Sequence, residues 1–275
     1  MTDLLINAAT RVITLLGDPV SHSLSPLLHN AAFRDRSLNA VYVALRCSSA
    51  DCGSLLLAIA RSGGAGNVTA PHKEIAAATV ELPTEAVQVT GACNTFWLEH
   101  DRVAGDNTDV EGFLRALNGF MGDVAGANVL LLGAGGAARA VVAALAHAQV
   151  DRLSVYARSP QRLANLEQRA SALRVRIQST ERLYEPVDLI VNATPLGFHD
   201  DDRLPFPLDG LPGKTAIVDL VYRPGETAWV RQAREHGLRA IDGKEMLLHQ
   251  AAASFERWWP LPAPRDVMRR ALLPE

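Results

Sequence analysis

An α/β fold in two domains is what this sequence predicts, and three observations predict it. Short apolar runs of strand type alternate with helical runs along the chain, the pattern of a largely parallel sheet flanked by helices. The rhythm restarts near Asn128 with a continuous apolar run, Val129-Leu130-Leu131-Leu132. That run leads straight into Gly133-Ala134-Gly135-Gly136-Ala137-Ala138, a glycine turn of the dinucleotide-binding kind. At 275 residues the chain is long enough for two domains of ordinary size.

The elements follow in order. Val12-Ile13-Thr14-Leu15-Leu16 is a buried strand ended by Gly17-Asp18-Pro19. Ser25-Pro26 has the form of an N-cap followed by proline at the first helical position, opening a helix through about Arg36. Ala40 to Leu45 is a second strand and Ser54 to Ser62 a helix. Ala65 to Thr69 is a short strand whose end delivers Thr69, with Lys73 on the turn or helix after Pro71. Ala92 to Leu98 and Val103 to Gly105 are strands flanking the His100-Asp101 turn. Beyond the glycine turn come the helix Ala137 to His147 and the strands Leu153 to Tyr156, Leu189 to Asn192 and Ala216 to Asp219. A last helix runs from about Lys244 to Trp258. These elements place one domain at 1–112 plus 240–275, with the crossing near Glu111–Leu117 and the return near Ala240, and a nucleotide-binding domain at 113–239.

Composition narrows the partners. The hydrophobic fraction is 48% and the formal net charge −3, which gives no electrostatic case for nucleic acid or an anionic membrane. Cys47, Cys52 and Cys93 are too few and too irregular for a disulfide framework or a zinc site. The eight histidines show no metal-binding pattern, so no metal is expected. The N-terminus has no basic leader and apolar stretches stop short of membrane-spanning length. A cytoplasmic protein is the expectation, and oligomeric state is left between monomer and homodimer.

The glycine turn follows a strand and opens a helix, the setting its chemistry requires. Gly133 permits the tight turn, Gly135 lets the backbone approach a pyrophosphate, and Ala138 allows close helix–strand packing. The amides from Ala134 through Gly136 and Ala137 face the phosphate oxygens. Cofactor choice is decided at the end of the next strand, where an acidic residue would hold a ribose 2′-hydroxyl. That window, centred 24 residues after Gly133 (157 − 133), holds Ala157-Arg158-Ser159, with Arg162 one turn later. Two guanidinium groups and a hydroxyl suit a 2′-phosphate, so NADP is expected over NAD.

Two polar motifs carry the reacting groups. Asn67-Val68-Thr69-Ala70-Pro71-His72-Lys73 supplies an ammonium, and Gly105-Asp106-Asn107-Thr108-Asp109 a carboxylate. Placed at one substrate hydroxyl, the two can move its proton while the dinucleotide accepts hydride. An alcohol-to-ketone oxidoreductase is the class this implies.

With Ser21-His22-Ser23-Leu24-Ser25-Pro26, Gly91-Ala92-Cys93-Asn94-Thr95, Asn192-Ala193-Thr194-Pro195-Leu196-Gly197, Asp219-Leu220-Val221-Tyr222 and Gly243 through Met246 to Gln250, these motifs resemble the shikimate dehydrogenase family over nearly the whole chain. The resemblance implies two α/β domains with a cleft between them and reversible, NADP-dependent interconversion of shikimate and 3-dehydroshikimate, a step toward chorismate and the aromatic amino acids. It implies Lys73 and Asp109 as the catalytic pair. Ser23 and Ser25 would hold the substrate carboxylate; Thr69, Asn94, Asp109 and Gln250 the ring hydroxyls; Tyr222 would close the site. Thr194, Gly243 and Met246 would join the cofactor residues. One departure stands out: the family often has asparagine where Ala157 stands, so a side-chain bond to the adenosine is missing. For Ser25, N-cap and carboxylate ligand remain alternatives. The rival functions are a quinate or aminoshikimate dehydrogenase with the same pair, and a non-catalytic NADP-binding sensor.

Overall fold

The computed structural model describes residues 6–173, 177–179, 186–199 and 201–272. The chain divides into two compact units, Met1–Gly112 with Leu247–Glu275, and Phe113–Met246.

The first unit is built on β1 (Arg11–Gly17), β2 (Ala40–Arg46), β3 (Ala65–Val68), β4 (Leu82–Pro83), β5 (Thr95–Glu99) and β6 (Arg102–Asp106), in the spatial order β2-β1-β3-β5-β6-β4. The ladders β1–β2, β1–β3 and β4–β6 are parallel, whereas β5 runs antiparallel to both β3 and β6. The sheet is therefore mixed rather than largely parallel. The reason is local: Glu99 and Arg102 pair across the His100-Asp101 turn, whose two residues both adopt positive φ, and a turn this tight returns the chain antiparallel. Strand β5 begins at Thr95 rather than at Ala92. Helices α1 (Ser25–Asp35), α2 (Cys52–Arg61), α3 (Lys73–Thr79) and α4 (Glu85–Thr90) belong to this unit. One apolar cluster joins Leu16, Leu56, Val68, Phe96 and Val103, with all three cysteines buried in it as free thiols.

The second unit contains β7 (Asn128–Leu132), β8 (Arg152–Tyr156), β9 (Ile177–Ser179), β10 (Leu189–Asn192), β11 (Ala216–Asp219) and β12 (Arg239–Ile241). Every ladder is parallel, and the order is β12-β11-β10-β7-β8-β9. Chain order thus reverses between β7 and β10, the switch point outside whose strand ends nucleotides bind in this architecture. Strands β7 and β10 carry apolar runs at Val129–Leu132 and Leu189–Val191, all buried as a sheet covered on both faces demands. Helices α6 (Gly136–His147), α7 (Pro160–Ala172) and α8 (Ala228–Glu235) flank the sheet. Because β12 pairs with β11 through Ala216↔Arg239 to Val218↔Ile241, the return to the first unit falls at Leu247 and not near Ala240. Helices α5 (Thr108–Met121) and α9 (Lys244–Trp258) carry the chain from one unit to the other, and α10 (Arg265–Arg270) follows.

Candidate active site

In the first unit, the two predicted reacting groups meet. Lys73 is the first residue of α3 and Asp109 lies in the first turn of α5. The Lys73 ammonium donates to Asp109 Oδ2 at 2.5 Å. Asp109 is buried and Lys73 half-buried, so water screens this pair less than it would a surface pair. The second carboxylate oxygen, Oδ1, accepts from Asn94 Nδ2 at 2.8 Å. Gln250, on α9, brings Oε1 to 3.4 Å from the same amide nitrogen. Four predicted residues from four stretches of sequence therefore converge on one polar cluster.

The cluster is held by a second rank of groups that the motifs alone did not single out. Asn94 Oδ1 accepts from the Thr108 amide at 2.8 Å, and Thr108 Oγ1 shares a hydrogen bond with Ser254 Oγ at 3.0 Å. Ser254 also accepts from Asn67 Nδ2 at 2.9 Å, while Asn67 Oδ1 accepts from the Tyr42 hydroxyl at 2.8 Å. Asn67 donates further to the Asn94 carbonyl at 3.0 Å. Such a network, satisfied and out of water, fixes its members in one arrangement. Its span from Tyr42 to Ser254 explains why no local motif signalled it. Gly112 is part of the same construction: a Cβ there would lie 2.7 Å from Gln250 Cβ, so glycine is what lets α5 approach α9. Behind Lys73, His72 Nε2 donates to the Cys47 carbonyl at 2.9 Å and pins the α3 start.

In the same unit Ser23 precedes α1, Ser25 opens it and Thr69 follows β3. Ser25 is not the N-cap. Leu24 occupies that position, Ser25 is the first helical residue, and its side chain makes no capping bond. Ser23 Oγ instead accepts the Ser25 amide at 3.2 Å. Leu24 has helical φ and ψ, so the chain enters α1 one residue earlier than proline at the first helical position would require. Ser23 keeps a hydroxyl proton to donate, and the Ser25 hydroxyl is left without a capping task. Thr69 follows β3, its amide donating to Leu16 O at 2.8 Å.

In the second unit a cavity of about 220 Å³ opens at the switch point. Gly133, Ala134, Gly135, Ala157, Arg158, Ser159, Arg162 and Thr194 all line it. Gly133 has φ +106°, and a Cβ there would press on the Ala193 carbonyl at 2.9 Å, so only glycine makes this turn. A Cβ at Gly135 or Gly136 would meet no protein atom within 4 Å. That open ground, at the start of α6, fits a pyrophosphate. Ser159 caps α7 by accepting the Arg162 amide at 3.4 Å, with Pro160 in the first turn. Arg203 and Pro205 also line the cavity; no motif announces them. Gly136 and Ala137 stand in the first turn of α6 and, like Gly243 and Met246, are not among the lining residues. Gly243 lies so close to the Leu220 backbone that a side chain would clash, and its amide donates to Val221 O at 3.1 Å. Tyr222 follows β11, half-buried, in this unit.

Beside the switch point, Asp219 at the end of β11 accepts from Thr227 Oγ1 at 2.7 Å, Asn192 Nδ2 at 2.8 Å and the Val221 amide at 3.1 Å. Burial outweighs these bonds and pushes its carboxyl up to about 6. Asn192 in turn accepts from Thr194 through both amide and hydroxyl, at 3.0 and 2.6 Å, fixing the residue that lines the cavity. Among the described residues no group of three His, Cys, Asp or Glu is placed to hold a metal ion, and no helix is long and apolar enough to cross a membrane.

Comparison with known proteins bears on both units. Residues 15–96 match the shikimate dehydrogenase substrate binding domain, 116–196 the shikimate / quinate 5-dehydrogenase family, and 243–273 the shikimate 5′-dehydrogenase C-terminal domain. The NADP(+) shikimate dehydrogenase of Salinibacter ruber is 40% identical over 281 residues, 97% of this chain and 98% of its own. The chain belongs to the shikimate dehydrogenase family. A shikimate dehydrogenase solved with NADP+ superposes with a TM-score of 0.90 at 33% identity, covering 98% of this chain and 96% of that one. The shikimate 5-dehydrogenase of Thermus thermophilus, solved with NADP(H) and shikimate, gives 0.85 at 36% identity over 95% of this chain and 98% of its own.

Proposed function

We propose that this chain is an NADP-dependent shikimate dehydrogenase, interconverting shikimate and 3-dehydroshikimate on the way to chorismate, with Lys73 and Asp109 as its proton-transfer pair. The observation that carries the reading is the 2.5 Å contact between the Lys73 ammonium and Asp109, inside a cluster of buried donors. The first unit holds substrate and the second holds cofactor. Ser23 and Ser25 bind the carboxylate at the α1 start, where the helix dipole favours an anion. Thr69, Asn94, Asp109 and Gln250 take the ring hydroxyls.

Bound NADP supplies the hydride acceptor for carbon 3 in oxidation and, when reduced, the donor for the reverse reaction. Gly133 to Ala137 receive its pyrophosphate; Arg158, Ser159 and Arg162 its 2′-phosphate; Thr194, Gly243 and Met246 the remainder. In the reducing direction the Lys73 ammonium gives a proton to the substrate carbonyl oxygen as hydride reaches the carbon. Asp109, anchored by Asn94, holds the lysine and the substrate oxygen together and stabilises the charged ammonium. In oxidation the pair takes the hydroxyl proton back.

Turnover of shikimate and quinate with each of NADP+ and NAD+ tests the assignment. Shikimate with NADP+ should give the largest kcat/KM. A faster reaction with quinate would move the chain to the quinate-oxidising branch, and hydride transfer with neither would return it to the cofactor-binding sensors.

A further inference from the structure

The cofactor cavity of the second unit contains a cation that neither the motifs nor the proposed function uses. Arg203 lines it together with Arg158 and Arg162, and no Asp or Glu is among the lining residues. Arg203 comes from a different wall: the two others follow β8, whereas Arg203 belongs to the segment after β10, beyond Gly197. Among the described residues none of the three guanidinium groups is ion-paired. The neighbouring carboxylate, Asp202, is already engaged, its Oδ2 accepting the amides of Gly197 at 3.0 Å and His199 at 2.9 Å. Those bonds tie Asp202 back to Gly197 and His199 and thereby set where Arg203 begins, and they turn this carboxylate onto backbone amides.

Three like charges around one cavity repel each other unless an anion joins them. A 2′-phosphate brings about −1.5 to −2 charges and three strong acceptor oxygens, more than two exposed arginines and one serine satisfy. Ala157, lining the same cavity, offers no side-chain donor. We propose that Arg203 is a third cation for the adenosine 2′-phosphate and so a determinant of NADP over NAD. This rests on the cofactor assignment above. The guanidinium fork suits the task, since it pairs with phosphate oxygens in a bidentate manner that an ammonium does not reproduce.

Calorimetric dissociation constants of NADP+, NAD+, 2′-AMP and 5′-AMP for the full-length wild type and Arg203→Ala test it. Because Arg203 is exposed, the variant should keep the wild-type thermal midpoint without nucleotide. The expected result is NADP+ and 2′-AMP weakened about 10-fold, with NAD+ and 5′-AMP changed less than about twofold. Unchanged NADP+ affinity would overturn the proposal, and so would equal weakening of NAD+, which would place Arg203 on the adenine or the pyrophosphate. A wild type that binds NADP+ and NAD+ alike would sink the cofactor assignment itself. A discriminating wild type with an unaffected Arg203→Ala removes only the role of Arg203.

Discussion

The two units solve opposite problems with their polar groups. In the first, Lys73, Asp109, Asn94, Thr108, Ser254, Asn67 and Tyr42 bond to one another in an unbroken series, most of them buried. In the second, Arg158, Arg162 and Arg203 line a cavity whose lining residues include no Asp or Glu. One region satisfies its polar groups internally; the other presents three guanidinium groups to a cavity. The difference suits the chemistry. Proton transfer depends on groups held in reacting geometry, whereas a cofactor that comes and goes needs charge at its phosphate and little internal neutralisation.

The sharpest way to break this comparison is to remove the acid from the organised side. Asp109→Ala should lower kcat/KM for shikimate by at least about 100-fold, the usual scale of acid–base assistance, because Lys73 loses its partner and Asn94 its acceptor. Steady-state rates decide it, and a loss under tenfold would make the pair structural. On the other side, Arg158→Ala and Arg162→Ala should each weaken NADP+ by about 10- to 100-fold, the worth of a charged hydrogen bond. Together they should erase the preference over NAD+. Measured binding of both cofactors checks this, and an intact preference would assign the phosphate elsewhere.

A third contrast lies in buried titratable groups. His29 in the first unit is fully buried, stacked on Tyr42 at 4.5 Å, and neither ring nitrogen has a hydrogen-bond partner. Burial pushes its pKa down to about 3 from 6.5. The unfolded chain therefore binds this proton more readily than the folded one. The stabilising contribution of His29 is complete above pH 6.5 and is lost as pH falls toward 3, at up to about 1.4 kcal/mol per pH unit. Asp219 in the second unit has the reverse sign. Its folded pKa of about 6 exceeds the ordinary 3.8, so its contribution is complete below 3.8 and is lost as pH rises through 6. Hydrogen exchange of α1 and β11 amides between about pH 4.5 and 7 should show protection rising with pH in the first and falling in the second. His29→Leu should flatten the α1 profile; parallel slopes in both elements would contradict the account. The smallest effect belongs to Ser254→Ala, which strands one Asn67 proton and should cost about 1–3 kcal/mol of stability in denaturant titration. No measurable loss would mean water replaces the hydroxyl.

The same contrast sets how much was legible in the sequence. The second unit announced itself, because a continuous apolar strand and a glycine at φ +106° each have few alternative explanations. Lys73 and Asp109 were legible as motifs, yet Thr108–Ser254 and Tyr42–Asn67 were not, since those partners lie 146 and 25 residues apart. The tight His100-Asp101 turn already implied that β5 and β6 run antiparallel, but the pairing of β5 with β3 was hidden, since those strands are joined by no tight turn. Helices α3 and α4, seven and six residues long, are too short for a helical period to declare itself. The Ser25 cap failed because Ser and Thr signal a helix start without fixing which residue takes the capping position, and Leu24 took it. Arg203 had no signal at all; only the folded turn at Asp202 brings it to the cavity.

Single-turnover reduction of 3-dehydroshikimate by NADPH, comparing the wild type with Lys73→Ala, reaches the central claim most directly. Hydride transfer should slow by at least about 100-fold while substrate affinity stays within a few-fold. A variant that transfers hydride at near the wild-type rate would contradict the pairing of Lys73 and Asp109 as the source of the proton.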